Sequence, residues 1–430
     1  MRRRSLDGQT ETGLMLAHMD ASTNARPHHT DQVESTYAWL RLGASLALGT
    51  IGCIGMWSFV VALPAVQADF GAARADATLP YTLLMMGFGV GGIFFGRLAD
   101  RFGILLPMLG GATALGLGYI AAGYSATLWQ LAGAHGLLIG FGSSVAFGPL
   151  IADISHWFGA RRGIAVAICA SGNYLAGTLW PPVVQHFIET SGWRATHIGI
   201  GLFCLATMLP ISLLLRRAAP MQRDIAAGAA ALEAQGAVGL SPGALQILIG
   251  VAGLACCAAM AMPQVHIVAY CGDLGYGVAR GAEMLSLMLG FGLISRLACG
   301  FVADRIGGVP TLLLSSVLQA AALMLYLLFD SLVSLYVVSA LFGLFQGGLV
   351  PTYAIIVREF FAPKEAGARL GFVLMATVVG MAFGGWMSGA IFDLTGSYQA
   401  AFANGFLWNL LNIAIVLWLL LRRARRAAYA

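Results

Sequence analysis

Twelve apolar runs of about 20 residues, the length that carries a helix across ~30 Å of hydrocarbon, constrain this chain more than anything else in it. They fall at 41–66, 78–99, 105–124, 129–155, 163–188 and 195–215, then at 244–269, 282–303, 310–329, 332–358, 367–391 and 400–421. Lipid offers no partner to a backbone N–H or C=O, so runs of this length must close their hydrogen bonds internally, as helices. Composition agrees. The 430 residues are 59% hydrophobic and only 10% charged, where a water-soluble domain carries about 25% charge. The 56 glycines suit helices packed closely in lipid. The expected class is therefore an all-α integral membrane protein with 12 transmembrane helices.

The charged residues give the expected orientation. Arg97, Arg101, Arg161, Arg162, Arg216, Arg217, Arg223, Arg305, Arg358, Lys364, Arg369 and the group Arg422, Arg423, Arg425 and Arg426 all fall on one side of the alternating segments. The other side holds Arg74, Arg194 and Arg280 among seven acidic residues. Basic residues mark the cytoplasmic side, so both termini and the linker are expected there, in the plasma (inner) membrane. The expected division is a cytoplasmic N-terminal tail (1–37), a six-helix bundle (38–217), a cytoplasmic linker (218–243), a second six-helix bundle (244–421) and a basic tail (422–430). Arg2-Arg3-Arg4 precede no apolar core, so the start does not read as a cleaved signal peptide. The net charge of +5 is too modest to point to nucleic acid. Seven cysteines, mostly inside apolar runs and without CxxC spacing, form neither a disulfide framework nor a zinc site. Neither a metal nor a cofactor is expected.

The two sets of six segments echo each other. GRLADRFG (Gly96 to Gly103) recurs as GFVADRIG (Gly300 to Gly307), about half the chain later, each between two apolar runs. A proline followed by an aromatic pair also recurs: Pro149 before Trp157-Phe158, and Pro351 before Phe360-Phe361. A unit that cannot bury its surface alone and appears twice implies two pseudo-symmetric halves.

With its paired GxxxDRxG loops the chain resembles the major facilitator superfamily from Trp39 to Arg426. That resemblance implies two six-helix bundles and assigns Asp100, Arg101, Asp304 and Arg305 to gating between the halves. The competing reading of these loops is that their charges only fix topology.

Arg296 is the sharpest single residue. The run from Leu285 to Phe301 is otherwise apolar but for Ser286 and Ser295. A lone arginine within a membrane costs at least ~2.5–3.5 kcal/mol near the centre, so it wants an anion or a cavity. Snorkelling to the interface is the bland alternative. Aligning the two DR loops places Gly92 at the equivalent position, so the architecture itself does not demand a charge. No acidic residue lies one turn away, where Gly292 and Gly300 stand. A carboxylate would match the guanidinium fork.

The sequence SRLACGFVAD around Arg296, and HWFGARRGIAVAICASGNYLAG from His156 to Gly177, are similar to the monocarboxylate transporter and oxalate/formate exchanger branch. The resemblance implies that Arg296 holds a substrate carboxylate. Two family features are missing. Gly292 stands where the eukaryotic members have an aspartate, and Gly52-Cys53-Ile54-Gly55 replaces their acidic motif in the first helix. A second fixed cation in segment 11 is also absent, which favours a monoanion. Asn173 and Tyr174 are candidate pocket residues, ahead of an expected break at Trp180-Pro181-Pro182. His266 is a candidate proton site, and Asp153 is expected at a helix end or in gating.

The resulting expectation is a secondary transporter, not an enzyme, that moves small organic monocarboxylates by alternating access and is proton-coupled. The alternatives are a short-carboxylate exchanger, a proton-coupled drug exporter and a non-transporting carboxylate sensor. GxxxxGK[ST] is absent, so ATP is not the expected driving force.

Overall fold

The computed structural model describes residues 33–159, 161–217, 239–361 and 363–429. Most of the expected N-terminal tail and linker therefore lie outside the described residues. Eleven helices are long and apolar enough to cross a membrane: α1 (Thr36–Phe70), α2 (Arg74–Phe102), α3 (Leu105–Gly123), α4 (Leu128–Ser155), α5 (Arg162–Leu215), α6 (Pro242–Asp273), α7 (Val278–Ile306), α8 (Gly308–Leu328), α9 (Leu332–Phe360), α10 (Gly367–Thr395) and α11 (Tyr398–Ala424). Among the described residues there is no strand.

Segments five and six run together in α5, whose 54 residues would span roughly 80 Å at ~1.5 Å per residue. Gly192 breaks it into two arms at φ 79° and ψ 159°, a backbone conformation that only glycine adopts cheaply. The expected break at Trp180-Pro181-Pro182 is not there, because both prolines lie inside a continuous helix. Proline at position 182 removes the N–H that would bond the Thr178 carbonyl. Ser286 Oγ of α7 supplies a replacement hydrogen bond to that carbonyl. The first arm of α5 is interrupted instead at Ser171, between the helices Arg162–Ala170 and Gly172–Ser212.

α1 has a matching interruption at Cys53 (φ −79°, ψ 1°). The two helices cross so closely that a methyl on Gly172 would lie 3.1 Å from the Gly49 carbonyl carbon. α4 is irregular, with a π-helical turn at His135–Gly140 and a 3-10 turn at Ser144–Ala146. Its Gly140 lets it approach α2, where a methyl would come within 2.1 Å of the Leu84 carbonyl.

Asp153 is an ion-pair partner within the first half. Arg41 of α1, fully buried, grips it through Nε and Nη2, both at 2.9 Å. The remaining Nη1 donates to the carbonyls of Leu215 (3.1 Å) and Arg217 (3.0 Å) and to the Tyr37 hydroxyl (3.2 Å). One side chain thereby ties the start of α1 to the ends of α4 and α5. The helix that begins at Tyr398 continues to Tyr429, through most of the region expected as a basic tail.

Candidate functional site

Two of the seams that join the halves, α5–α7 and α2–α10, carry close glycine contacts over only part of their length. On the α5–α7 seam, Leu289 packs where a methyl on Gly177 would lie 2.2 Å away, and Gly292 faces the Tyr174 ring. One turn further, Arg296 Nη1 donates to the Ala170 carbonyl at 2.6 Å. Gly300 and Gly163 continue the same helix faces, and nothing lies within 4 Å of a methyl on either. On the α2–α10 seam, Gly389 abuts the Ala75 backbone (3.0 Å from a methyl) and Gly89 abuts Met375. Again on the same faces, Gly92, Gly96, Gly367 and Gly371 have nothing within 4 Å. Among the described residues, the close glycine contacts between the halves run from the end opposite the DR loops to mid-depth and stop short of the DR loops.

Arg296 sits where the α5–α7 seam ends. It is 8% exposed, and its Nε is buried without a hydrogen-bond partner. The guanidinium carbon stands 4.5 Å from the centroid of the Tyr174 ring, a cation–π contact. None of the ion pairs among the described residues includes Arg296. Tyr174 is held in place by its own hydroxyl, which donates to the Gly347 carbonyl at 3.2 Å. Pro351 lacks the N–H that would otherwise bond that carbonyl. Two of the seam-crossing bonds to carbonyls, Ser286 to Thr178 and Tyr174 to Gly347, thus use an acceptor released by a proline.

Asn173 is turned toward α1, where its carbonyl and side-chain oxygens accept from Trp57 Nε1 at 3.2 and 3.1 Å. Tyr174 therefore belongs to the arginine's immediate surroundings, while Asn173 anchors the helix interruption next to it. Among the described residues this guanidinium has one protein acceptor, one aromatic face and no counter-charge, so hydrogen-bonding capacity is left over. Its fork can take a carboxylate through two parallel hydrogen bonds.

His266 is far from this point, at the closed end of the bundle. There Arg74 of α2 reaches across to the second half, donating from Nη1 to the Tyr398 hydroxyl at 2.5 Å and from Nη2 to Asp273 at 3.2 Å. Its guanidinium carbon lies 4.6 Å from the Phe392 ring centroid. Asp393 of α10 accepts from the backbone N–H groups of Arg74 and Ala75 at 2.8 and 2.7 Å, capping the start of α2 from the other half. His266 completes the cluster through Tyr398 (3.0 Å) and the Gly385 carbonyl (2.8 Å). Arg74, Asp273, Asp393 and Tyr398 were not singled out from sequence. Their only signal there was that Arg74 is one of three arginines on an otherwise acidic side.

Asp100, Arg101, Asp304 and Arg305 are all exposed. Among the described residues no hydrogen bond or ion pair joins either DR loop to the opposite half, and Arg101 rests over the Phe102 ring at 5.2 Å. A surface groove lined by Val90, Ile93, Phe94, Arg97, Leu98, Arg101 and Phe102 runs along α2 at this end and shares no residue with the Arg296 site. His135 lies in the core of the first half, bonded to the Leu131 carbonyl at 2.9 Å and edge-on to Phe59. Gln346 is fully buried.

Known proteins match this architecture. A family profile described as Major Facilitator Superfamily matches residues 46–335 and 281–429. A Rattus norvegicus protein named monocarboxylate transporter 13 is 25% identical over 389 residues, which cover 88% of this chain and 89% of that protein. The Homo sapiens monocarboxylate transporter 11 is 25% identical over 399 residues, covering 88% and 82%. Among solved structures, a bacterial homologue of the human lysosomal transporter Spinster superposes with a TM-score of 0.65 at 15% identity, over 91% of this chain and 96% of that one. The all-helical fold, the paired DR loops and the profile match agree: this chain is a multi-pass membrane transport protein, not an enzyme, and it belongs to the major facilitator superfamily.

Proposed function

We propose that the chain moves small organic monocarboxylate anions across the plasma (inner) membrane by alternating access, with proton coupling. The observation that carries this reading is Arg296: buried, free of any acidic partner among the described residues, with an unbonded Nε, and placed where the seam between the halves ends. A substrate carboxylate would supply the missing counter-charge, stacked beside Tyr174, with its organic body against the apolar walls. One fixed cation favours a monoanion over a dianion. Relatives named monocarboxylate transporters support the substrate class.

The DR loops are placed on the cytoplasmic side by the basic residues around them. On that reading the halves are apart on the cytoplasmic side, and Arg296 is approached from within. Asp100, Arg101, Asp304 and Arg305 would meet across the gap when the machine closes there. Both termini would be cytoplasmic.

The test is uptake into proteoliposomes of labelled mono- and dicarboxylates, with and without a pH gradient, for wild type and Arg296→Ala. The expected result is monocarboxylate uptake that follows the gradient and, near the wild-type half-saturating concentration, falls sharply in the variant. Normal carboxylate uptake by Arg296→Ala overturns the assignment. Uptake that ignores the gradient and requires internal anion replaces symport with exchange.

A further inference from the structure

We propose that His266 is the proton-binding site that works the latch at the end of the bundle opposite the DR loops: a proton on its Nδ1 releases Tyr398 and Arg74 and lets that end open. The inference deepens the proton-coupled reading above and rests on it only for its use in transport.

Three hydrogen bonds in this cluster have a fixed direction. His266 Nε2 lies 2.8 Å from the Gly385 carbonyl oxygen, which only accepts, so Nε2 carries a hydrogen. In the neutral ring Nδ1 is then a bare acceptor, and the Tyr398 hydroxyl at 3.0 Å donates to it. The Tyr398 oxygen in turn accepts from Arg74 Nη1 at 2.5 Å. The chain therefore runs one way, from Arg74 through Tyr398 and His266 to Gly385. It joins the first half to the second, since Arg74 starts α2 while the other three residues lie on α6, α10 and α11.

A proton from water bound at Nδ1 turns that acceptor into a donor. The Tyr398 hydrogen loses its acceptor, and two cationic donors then point at one phenol oxygen. In a site where His266 is fully buried and Tyr398 is 3% exposed, a displaced donor finds no water and costs the full desolvation of a polar group. Parting the halves removes the conflict by taking Arg74 away.

The other groups facing the cluster do not resolve it. Asp393 of α10 is occupied by the backbone N–H groups of Arg74 and Ala75, and Asp273 of α6 by the Arg74 tip. Neither carboxylate accepts a hydrogen bond from the imidazole, whose two nitrogens face Tyr398 and Gly385. Tyr270 of α6 meets Tyr398 edge-on, and the Tyr81 ring of α2 lies against Gly385. By linkage, a proton that favours the open end is bound more tightly by the open end.

The test is a distance measurement in lipid nanodiscs without any substrate. Spin labels go on Tyr124→Cys and Leu394→Cys, exposed positions of the two halves near the latched end, in a background lacking reactive cysteines. In the wild-type background the labels are expected to separate as pH falls from about 8 to about 4. His266→Gln keeps a donor for Gly385 and an acceptor for Tyr398 but cannot titrate, so the distance should stay short throughout. Tyr398→Phe removes the donor that competes for Nδ1, so the transition should move up by about one pH unit. A pH-independent wild-type distance overturns the proposal. So does an unchanged midpoint in Tyr398→Phe, or in His266→Gln. Because no carboxylate is present, a failed Arg296 assignment leaves this result standing, and a failed latch leaves the uptake result standing.

Discussion

Arg41 and Arg296 are two arginines that the fold takes out of water, at 0% and 8% exposure, and it treats them in opposite ways. Arg41 has a bidentate carboxylate in Asp153, two carbonyls, a tyrosine hydroxyl and the Trp157 face 4.6 Å from its guanidinium carbon. All its partners belong to one half, so the contact need not change when the halves move. Arg296 has one carbonyl and one aromatic face, both from the other half, and a vacant Nε. Burial alone therefore does not mark a functional cation. What the proposal for Arg296 rests on is burial with partners left over, on a surface between the halves.

The largest expected effect tests the satisfied member of the pair. Arg41→Met leaves the Asp153 carboxylate buried and unpaired, which costs about 3–5 kcal/mol. Thermal unfolding in detergent should show a marked drop, and replacing Asp153 by Asn in the same chain should recover part of it. If Arg41→Met is as stable as wild type, the contrast between the two arginines fails. Next comes Arg296→Ala. It should lose a charge-assisted hydrogen bond to substrate of about 1.5–3 kcal/mol, raising the half-saturating carboxylate concentration roughly 10- to 150-fold without a matching loss of thermal stability. An equal loss of stability would make Arg296 a second structural clasp. Arg296→Lys keeps the charge but not the fork, so a penalty of about 1 kcal/mol, some fivefold in half-saturation, separates bidentate recognition from simple charge attraction. The smallest effect belongs to Asp100→Asn with Asp304→Asn. These side chains are exposed and unpaired across the gap, so unfolding should be unchanged while turnover falls. Unchanged turnover would reduce the DR loops to topological markers.

Much of the frame was legible in the sequence because hydrophobic length and repetition are local properties. The paired DR loops pointed to the two halves, and comparing Arg296 with Gly92 picked out one break in their symmetry. Tyr174 was visible as a polar residue beside an interruption, although the interruption itself lies at Ser171 and not at the prolines beyond it. Pro181 and Pro182 misled because a proline's effect depends on what donates to the carbonyl it orphans, and Ser286 is 108 residues from Thr178. Distance along the chain hid the rest. Arg41 and Asp153 are 112 residues apart, and Arg74 and Asp393 are 319 apart. Neither pair shares a helix face, a loop or a motif that would have brought its members to notice together.

The bare glycines near the DR loops carry a practical consequence. Among the described residues Gly92, Gly96, Gly367 and Gly371 have open space where a methyl would go, so on the alternating-access reading proposed above alanine there leaves this arrangement undisturbed and would burden only one in which the gap has shut. Gly389, whose methyl would meet the Ala75 backbone at 3.0 Å, works in the opposite sense. A single carbon atom, placed at one end or the other, becomes a doorstop. The chain thus supplies its own means of being trapped in either posture, one variant for each, without touching a charged residue.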